Sequence, residues 1–339
     1  MTDIARACGV SQATVSLVLS QAPGTRVSAA TREAVRAKAA ELGYRRGPHP
    51  ERRAVLAMLI NETSSSAHVG GLIDGATEAA LEAGFLPLVI PTADDEAAEA
   101  EAIGMLAALP VAGVIYARLI TQAVKPPAAL ARWPTVLLNC HAIGDPFPSV
   151  VPGDLAGAMT ATLTLLDAGH VRVGFIGGDQ VVEAARERLR GYRRALSSRE
   201  VPEDPQLIYK GGWTAEGGRE GFGRLRALPD PPTALVCFCD RTAVGVYLAA
   251  AEAGLLIPRD LSVVGFDNET LSQDLRPPLS TMELPHAEMA RHAVDAVRRL
   301  MAAPAPAPHP RVKFDCPLVA RASVAPPQAA RALSLAAAR

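Results

Sequence analysis

Thr2-Asp-Ile-Ala-Arg-Ala-Cys-Gly-Val-Ser11-Gln-Ala-Thr-Val-Ser-Leu-Val-Leu-Ser20 reads as two short helices joined at Gly9. Ile4, Ala5 and Cys8 fall on one helical face, and Val15, Val18 and Leu19 on another. Gly9 stands where a tight interhelical turn needs φ > 0, which glycine reaches without a Cβ clash. Ser11 is placed to cap the second helix by accepting a free N–H of its first turn. With its apolar face turned inward, that helix shows Gln12, Ala13, Ser16 and Leu17 outward. A helix-turn-helix offers its second helix to the DNA major groove in this way.

A third helix opens at Ser28 or at Ala30-Thr31. Its stripe is Val35, Ala39 and Leu42, and Gly43 stops it. Three short amphipathic helices also fit a plain helical subdomain, so geometry alone leaves the function open. Charge favours nucleic acid. Residues 1–53 hold nine Arg/Lys against four Asp/Glu, a net of +5, whereas the remainder holds 25 against 31, a net of −6. A basic head on an acidic body is the footprint of a nucleic-acid-binding end.

The run Ile4 to Ser20, then Val27-Ser-Ala-Ala-Thr-Arg-Glu-Ala-Val35, then Glu41-Leu-Gly-Tyr44, resembles the headpiece of the LacI/GalR (lactose repressor-like) transcriptional regulators. The body resembles their effector domain through about Ser323. The resemblance implies an operator-binding headpiece over 1–44 and a small-molecule effector held by the body. Arg45-Arg-Gly-Pro-His-Pro-Glu-Arg-Arg53 is the linker, and it departs from the family. Relatives carry a hinge helix there whose leucine wedges into the minor groove. This linker is shorter, has no leucine, and its glycine and two prolines disfavour a helix. It is either a phosphate-contacting arm or an inert basic tether.

At 339 residues the chain is too long for one core. A hydrophobic content of 49% with 20% charged residues fits a soluble globular protein, and no apolar run approaches the ~18–20 residues of a membrane span. Asp3 and Arg6 arrive too early for a secretory signal, so a cytoplasmic location is expected. The five cysteines include no Cys-x-x-Cys pair and are expected reduced. Cys237 and Cys239 share a strand face but lack a histidine cluster, so no metal and no cofactor is expected.

From Ala54 the pattern turns to alternating strands and helices, which argues parallel, doubly wound sheets. Apolar strands are expected at 54–60, 85–90, 113–116 and 135–138. A second series of strands follows at 171–176, 207–209, 233–238 and 261–266. Two such series suggest the two-lobed plan of periplasmic sugar-binding proteins. Lobe 1 is expected over about 54–150 and 283–324, lobe 2 over about 154–280, and a flexible tail over 325–339.

Ligands of parallel α/β sheets sit beyond the carboxyl ends of the strands. Those ends offer Asn61 and Ser65 in the loop Asn61-Glu-Thr-Ser-Ser-Ser66, then Asn139, the pair Cys239-Asp240, and Asp267. The resemblance implies that Arg188 hydrogen-bonds the effector, that Asp267 is its acidic ligand residue, and that Trp213 covers the ligand. It also notes Cys239 where relatives commonly have Asn. A guanidinium and a carboxylate can each hold a pair of hydroxyls, and a Trp face packs the C–H side of a sugar ring. Arg188 and Asp267 could instead form structural salt bridges, and Trp213 could be core.

No Gly-x-Ser-x-Gly, Gly-x-x-x-x-Gly-Lys, His-Glu-x-x-His or Gly-x-Gly-x-x-Gly occurs, so no enzyme is expected. The reading is a homodimeric repressor that binds pseudo-palindromic double-stranded DNA and responds to a sugar-like effector. A solute-binding protein without a DNA role is the alternative. Gln12, Ala13 and Leu17 meet base edges in this reading. Thr14, Ser16, Arg45, Arg46, Arg52 and Arg53 meet phosphates, with Thr2 and Ser11 in the same DNA-facing set.

Overall fold

The computed structural model describes residues 2–19, 27–42, 53–64, 69–303 and 308–328. Ser20, Gly43, Arg45, Arg46, Arg52, Ser65 and all but the first residues of the expected tail lie outside them. The chain divides into two units, 1–53 and 54–339.

The described residues of the first unit form three helices: α1 (Thr2–Ala7), α2 (Gln12–Leu19) and α3 (Ala29–Glu41). Gly9 adopts φ +64° in the turn between α1 and α2. Thr14 N donates to Ser11 Oγ at 3.1 Å, and Thr31 N donates to Ser28 Oγ at 3.1 Å, so serines cap α2 and α3. Ile4, Ala5, Val15, Val18, Val35 and Ala39 form the core, with Cys8 and Leu19 packed at its rim. Leu42 is a correction. Expected in the α3 stripe, it is the C-cap and half exposed, because the helix ends one residue too early to bury it.

The second unit holds two six-stranded sheets. The chain first lays down β1 (Val55–Ile60), α4 (Val69–Glu82), β2 (Leu86–Pro91), α5 (Glu96–Leu106), β3 (Val111–Val124), β4 (Thr135–Ala142) and β5 (Ser149–Pro152). It continues through α6 (Asp154–Asp167), β6 (Val173–Gly177), α7 (Glu183–Ser198), β7 (Ile208–Lys210), α8 (Ala215–Arg226), β8 (Ala234–Cys237), α9 (Asp240–Glu252), β9 (Ser262–Asp267), α10 (Leu271–Asp274) and β10 (Ser280–Glu283). It closes with α11 (His286–Ala302), β11 (Arg311–Phe314) and β12 (Leu318–Val319).

The first sheet has the order β11-β5-β4-β3-β1-β2 and is parallel throughout. Every residue of β1 is buried. Leu56, Met58 and Ile60 pack under α4 and α11, while Val55, Ala57 and Leu59 face Ile103 and Leu106 of α5. Helices on both faces explain an unbroken apolar strand rather than an alternating one. The second sheet, β12-β10-β9-β8-β6-β7, is parallel except for β12. Phe175, Val264 and Phe266 face α6 and α7, and Leu235 and Val263 face α8 and α9. The helices α6 and α7 approach so closely that a Cβ on Gly191 would stand 2.2 Å from Leu155 O.

The expected lobe boundaries need correction. Residues 283–324 do not return to the first lobe as a block. α11 packs on α4 and β11 pairs with β5, but β12 pairs antiparallel with β10 in the second sheet. Ser323 follows it there, its Oγ donating to Val263 O at 2.6 Å and accepting from Ser280 N at 2.8 Å. Two residues of strand are too short to carry a periodicity, and β10, which they cover, was itself unread. The chain therefore passes between lobes three times, after β5, after β10 and after β11. Among the described residues, no helix is long and apolar enough to cross a membrane.

Candidate functional site

A cavity of about 450 Å³ lies between the lobes, at the carboxyl ends of the strands. Its lobe 2 wall is built on Arg188, which sits on the buried side of α7. Arg188 Nε donates to Asp154 Oδ1 at 2.8 Å, and Nη1 donates to Phe238 O at 2.6 Å and to Asp267 Oδ1 at 3.4 Å. The guanidinium lies 3.7 Å from the Phe266 ring centroid and 4.7 Å from that of Phe238. Burial works against its charge, but Asp154 and Asp267 outweigh burial and hold its pKa above the usual value. Burial likewise pushes the Asp154 carboxyl up, yet a partner that is always a cation keeps the contact an ion pair.

Arg188 therefore forms the structural salt bridges that the sequence allowed, and its place is at the cavity as well. It is a structural clamp on Asp154 and Asp267, and it also lines the cavity, with none of these hydrogen bonds using Nη2. Asp267 adopts φ +112° and Asn268 φ +56° at the end of β9. Such a conformation is costly for residues with a Cβ, and strain of this kind gathers where a side chain must be aimed.

The lobe 1 wall comes from an irregularity in β3. Ala117 pairs with Leu138 and Gln122 with Cys140, so four residues of β3 bulge opposite one of β4. Leu119, Ile120 and Thr121 of that bulge line the cavity. Two asparagines hold it. Asn139, at φ +55°, donates from Nδ2 to Arg118 O at 3.0 Å and Leu119 O at 2.8 Å, and accepts from Thr121 Oγ1 at 2.7 Å. Asn61 Oδ1 accepts from Leu119 N at 2.8 Å, and its Nδ2 donates to Asp94 Oδ2 at 2.9 Å.

Asn139, Arg188, Trp213, Cys239 and Asp267 all border the cavity. Asn61 does not, which corrects its expected place, because its amide is consumed behind the bulge. Asp240 is likewise corrected. It is fully buried behind the wall, accepting from Glu269 N at 2.8 Å and from Thr281 Oγ1 at 2.5 Å. Burial, then the nearby Asp267 charge, pushes its carboxyl up to about 8. Trp213 is 42% exposed on the cavity rim and is not core. Cys239 is buried, its Sγ 3.2 Å from Thr242 Oγ1, and burial pushes its thiol up to about 12. It offers a neutral SH rather than a thiolate.

Glu62, Leu119, Ile120, Thr121, Glu269 and His286 also border the cavity and were not read from the sequence. Glu62 carried a usable signal, being next to Asn61 in the polar loop after β1. The bulge residues carried none, because an insertion of apolar residues into a strand looks like more strand.

In the headpiece, Gln12, Ala13 and Leu17 are exposed on α2, and Thr14 and Ser16 are half-buried. Gln12 Nε2 donates to Thr2 Oγ1 at 2.6 Å, and Ser11 Oγ lies 2.9 Å from Thr14 Oγ1. Ser11 and Thr14 are thus engaged in the cap. Arg53 is exposed.

Residues 1–47 match the bacterial regulatory proteins of the lacI family, and residues 162–324 match the periplasmic binding protein-like domain. The chain is 33% identical over 304 residues to the HTH-type transcriptional repressor CytR of Escherichia coli strain K12, covering 87% of each. It is 31% identical over 334 residues to the HTH-type transcriptional regulator GalR of Salmonella typhimurium strain LT2, covering 96% of each. The structure of the lac repressor dimer bound to operator and the anti-inducer ONPF superposes with a TM-score of 0.71 at 25% identity, over 95% of this chain and 98% of that one. The transcriptional regulator CelR in complex with cellobiose superposes with a TM-score of 0.68 at 27% identity, over 94% of this chain and 98% of that one. With a helix-turn-helix head, a two-lobed body and relatives of this identity over nearly its whole length, the chain belongs to the lacI family of bacterial regulatory proteins.

Proposed function

We propose that this protein is a cytoplasmic transcriptional repressor that binds operator DNA as a homodimer and is controlled by a small, sugar-like molecule held between its lobes. Each α2 reads one half-site of a pseudo-palindrome, with Gln12, Ala13 and Leu17 toward base edges. Ser16, the linker arginines and Arg53 bind phosphates, and Thr2 fixes the Gln12 side chain. Effector binding shifts the dimer between forms of high and low DNA affinity.

The observation that carries this reading is the cavity wall in which Arg188 is braced by Asp154 and aims Asp267 from a strained backbone. A carboxylate and guanidinium fixed in this way offer paired hydrogen bonds to vicinal hydroxyls. The relatives support the same reading: one carries cellobiose and another carries operator DNA. No enzymatic role is proposed, since these relatives are regulators.

The test begins with selection of an operator from a random DNA pool by the purified chain. Release of that operator is then titrated with a panel of mono- and disaccharides and nucleosides. Sequence-selective binding, reversed or strengthened by one panel class and insensitive to it in Asp267→Ala, is the expected result. Binding without sequence preference, or an effector response that survives Asp267→Ala intact, overturns the reading.

A further inference from the structure

A histidine–glutamate pair spans the two lobes. His141 lies near the end of β4 in the first sheet, and Glu183 is the first residue of α7 in the second lobe. His141 Nε2 stands 2.8 Å from one carboxylate oxygen of Glu183 and 3.0 Å from the other. The buried Nδ1 has no hydrogen-bond partner among the described residues, so Glu183 is what orients this ring.

The placement gives the contact leverage on both walls of the cavity. His141 belongs to the short stretch where β3 and β4 pair again beyond the bulge, with Ala123 opposite His141. That stretch is continuous with Leu119, Ile120 and Thr121. Glu183 precedes Arg188 by five residues on one helix, and α7 touches β3 directly. A rigid helix transmits any movement of its first turn to Arg188.

The side chains keep 11% and 25% of their exposure, so the pair is shielded from solvent without being sealed from it. Opening the cleft would return both groups to water, which repays much of the lost bond. A contact of this kind biases an equilibrium rather than locking it.

We propose that His141 and Glu183 are positioning residues that draw the lobes together, set the distance between Arg188 and the β3 bulge, and so fix how far the empty cleft opens. The proposal rests on the reading that effector binds between the lobes. Its test uses no effector.

The full chain carries spin labels at Glu101→Cys on α5 and Arg194→Cys on α7, both exposed, in a Cys8→Ser background, since the four other cysteines are buried. Labelled protein is diluted with unlabelled protein, and the intramolecular distance is read by double electron–electron resonance. His141→Ala and Glu183→Ala should each move the distribution to longer, broader distances. The double variant should add nothing further, because either change removes the same bond. Glu183→Gln, which keeps a hydrogen bond to the ring, should stay close to the wild type.

Distances unchanged in both alanine variants overturn the proposal. So does a double variant equal to the sum of the singles. A lowered melting temperature without a distance change overturns it too, by making the pair merely structural. Should either alanine variant fail to fold, His141→Phe keeps a ring in place without any hydrogen bond to Glu183 and must lengthen the distance. A displaced effector site would leave these distances standing, and a failed distance test would leave the effector site standing.

Discussion

Individual side chains here do two kinds of work, and Asp240 illustrates the less visible kind. Its carboxyl is buried and pushed up to about 8, against an ordinary value of 3.8. Between those values the folded protein holds a proton that the unfolded chain has released. Stability from this group is therefore fully present below 3.8 and is lost as pH rises from there to about 8, by up to about 1.4 kcal/mol per pH unit, with no further loss above that. Asp240→Asn removes the ionisation, while an amide can still accept from Glu269 N and donate to Thr281 Oγ1. Urea unfolding at pH 6 and pH 8.5 should show a smaller loss of stability with pH in the variant. Equal losses in the two proteins would show that Asp240 is already ionised in the fold.

Leu17 works outward. It is exposed on α2 and offers a base only apolar contact, such as to a thymine methyl. Leu17→Arg should impose a guanine on the half-site position beneath it, worth about 1–3 kcal/mol of discrimination. Selection from a random pool with both proteins checks this, and the same consensus from each would contradict it. The sequence made the places of Leu17 on the outer face of α2 and of Arg188 and Asp267 at the cavity legible because each sits in a motif. It misassigned Asn61 and Asp240 because a polar residue after a strand looks the same whether its hydrogen bonds go to a ligand or to its own backbone.

Among the elements, β3 departs most from what the sequence shows. Gly113 to Tyr116 was readable as a strand, but the bulge and the renewed pairing to Val124 were not. What makes the bulge is not in β3 at all. It is Asn139 on β4 and Asn61 after β1, whose amides replace the ladder bonds that the four extra residues cannot make. Asn139→Ala deletes three hydrogen bonds at a buried site. At about 1 kcal/mol each, the loss should approach ~3 kcal/mol. Amide hydrogen exchange at 118–122 should quicken well beyond the change in the rest of the first sheet. Uniform acceleration would mean that Asn139 supports the lobe generally and not the wall of the cavity. The helices α1 to α3, by contrast, were legible nearly to the residue, since caps and a glycine at φ +64° write their positions locally.

At the scale of the whole molecule, the charge division of the chain has a consequence for DNA. The linker over 45–53 has prolines at 48 and 50 and no leucine, and Arg45, Arg46, Arg52 and Arg53 supply its charge. Without an apolar wedge, the few kcal/mol needed to unstack a base step have no inserted side chain to offset them. The operator should therefore be bent little, and affinity should lean on phosphate contacts that weaken with salt. Arg52→Ala with Arg53→Ala should reduce the salt slope of binding by about 1–2. A sharp central kink in a gel-phasing assay would contradict this account. The two-sheet architecture was visible in the strand–helix alternation because doubly covered strands are continuous apolar runs. The closing path of the chain was not, because its deciding strands have four residues or fewer.

That closing path bears on how such a protein can be inherited. Lobe 2 interrupts lobe 1, and the last part of lobe 1 in turn interrupts lobe 2. No single cut in the gene releases either lobe whole. A truncation after Phe314 would take β12 from the edge of β10, and would strip His170 and Ser262 of the Ala325 carbonyl that both bond. A recombination event can exchange the head, which is contiguous, for another head. A single crossover within the body cannot exchange one lobe and leave its neighbour whole, so each such event changes both walls of the cavity or splits one.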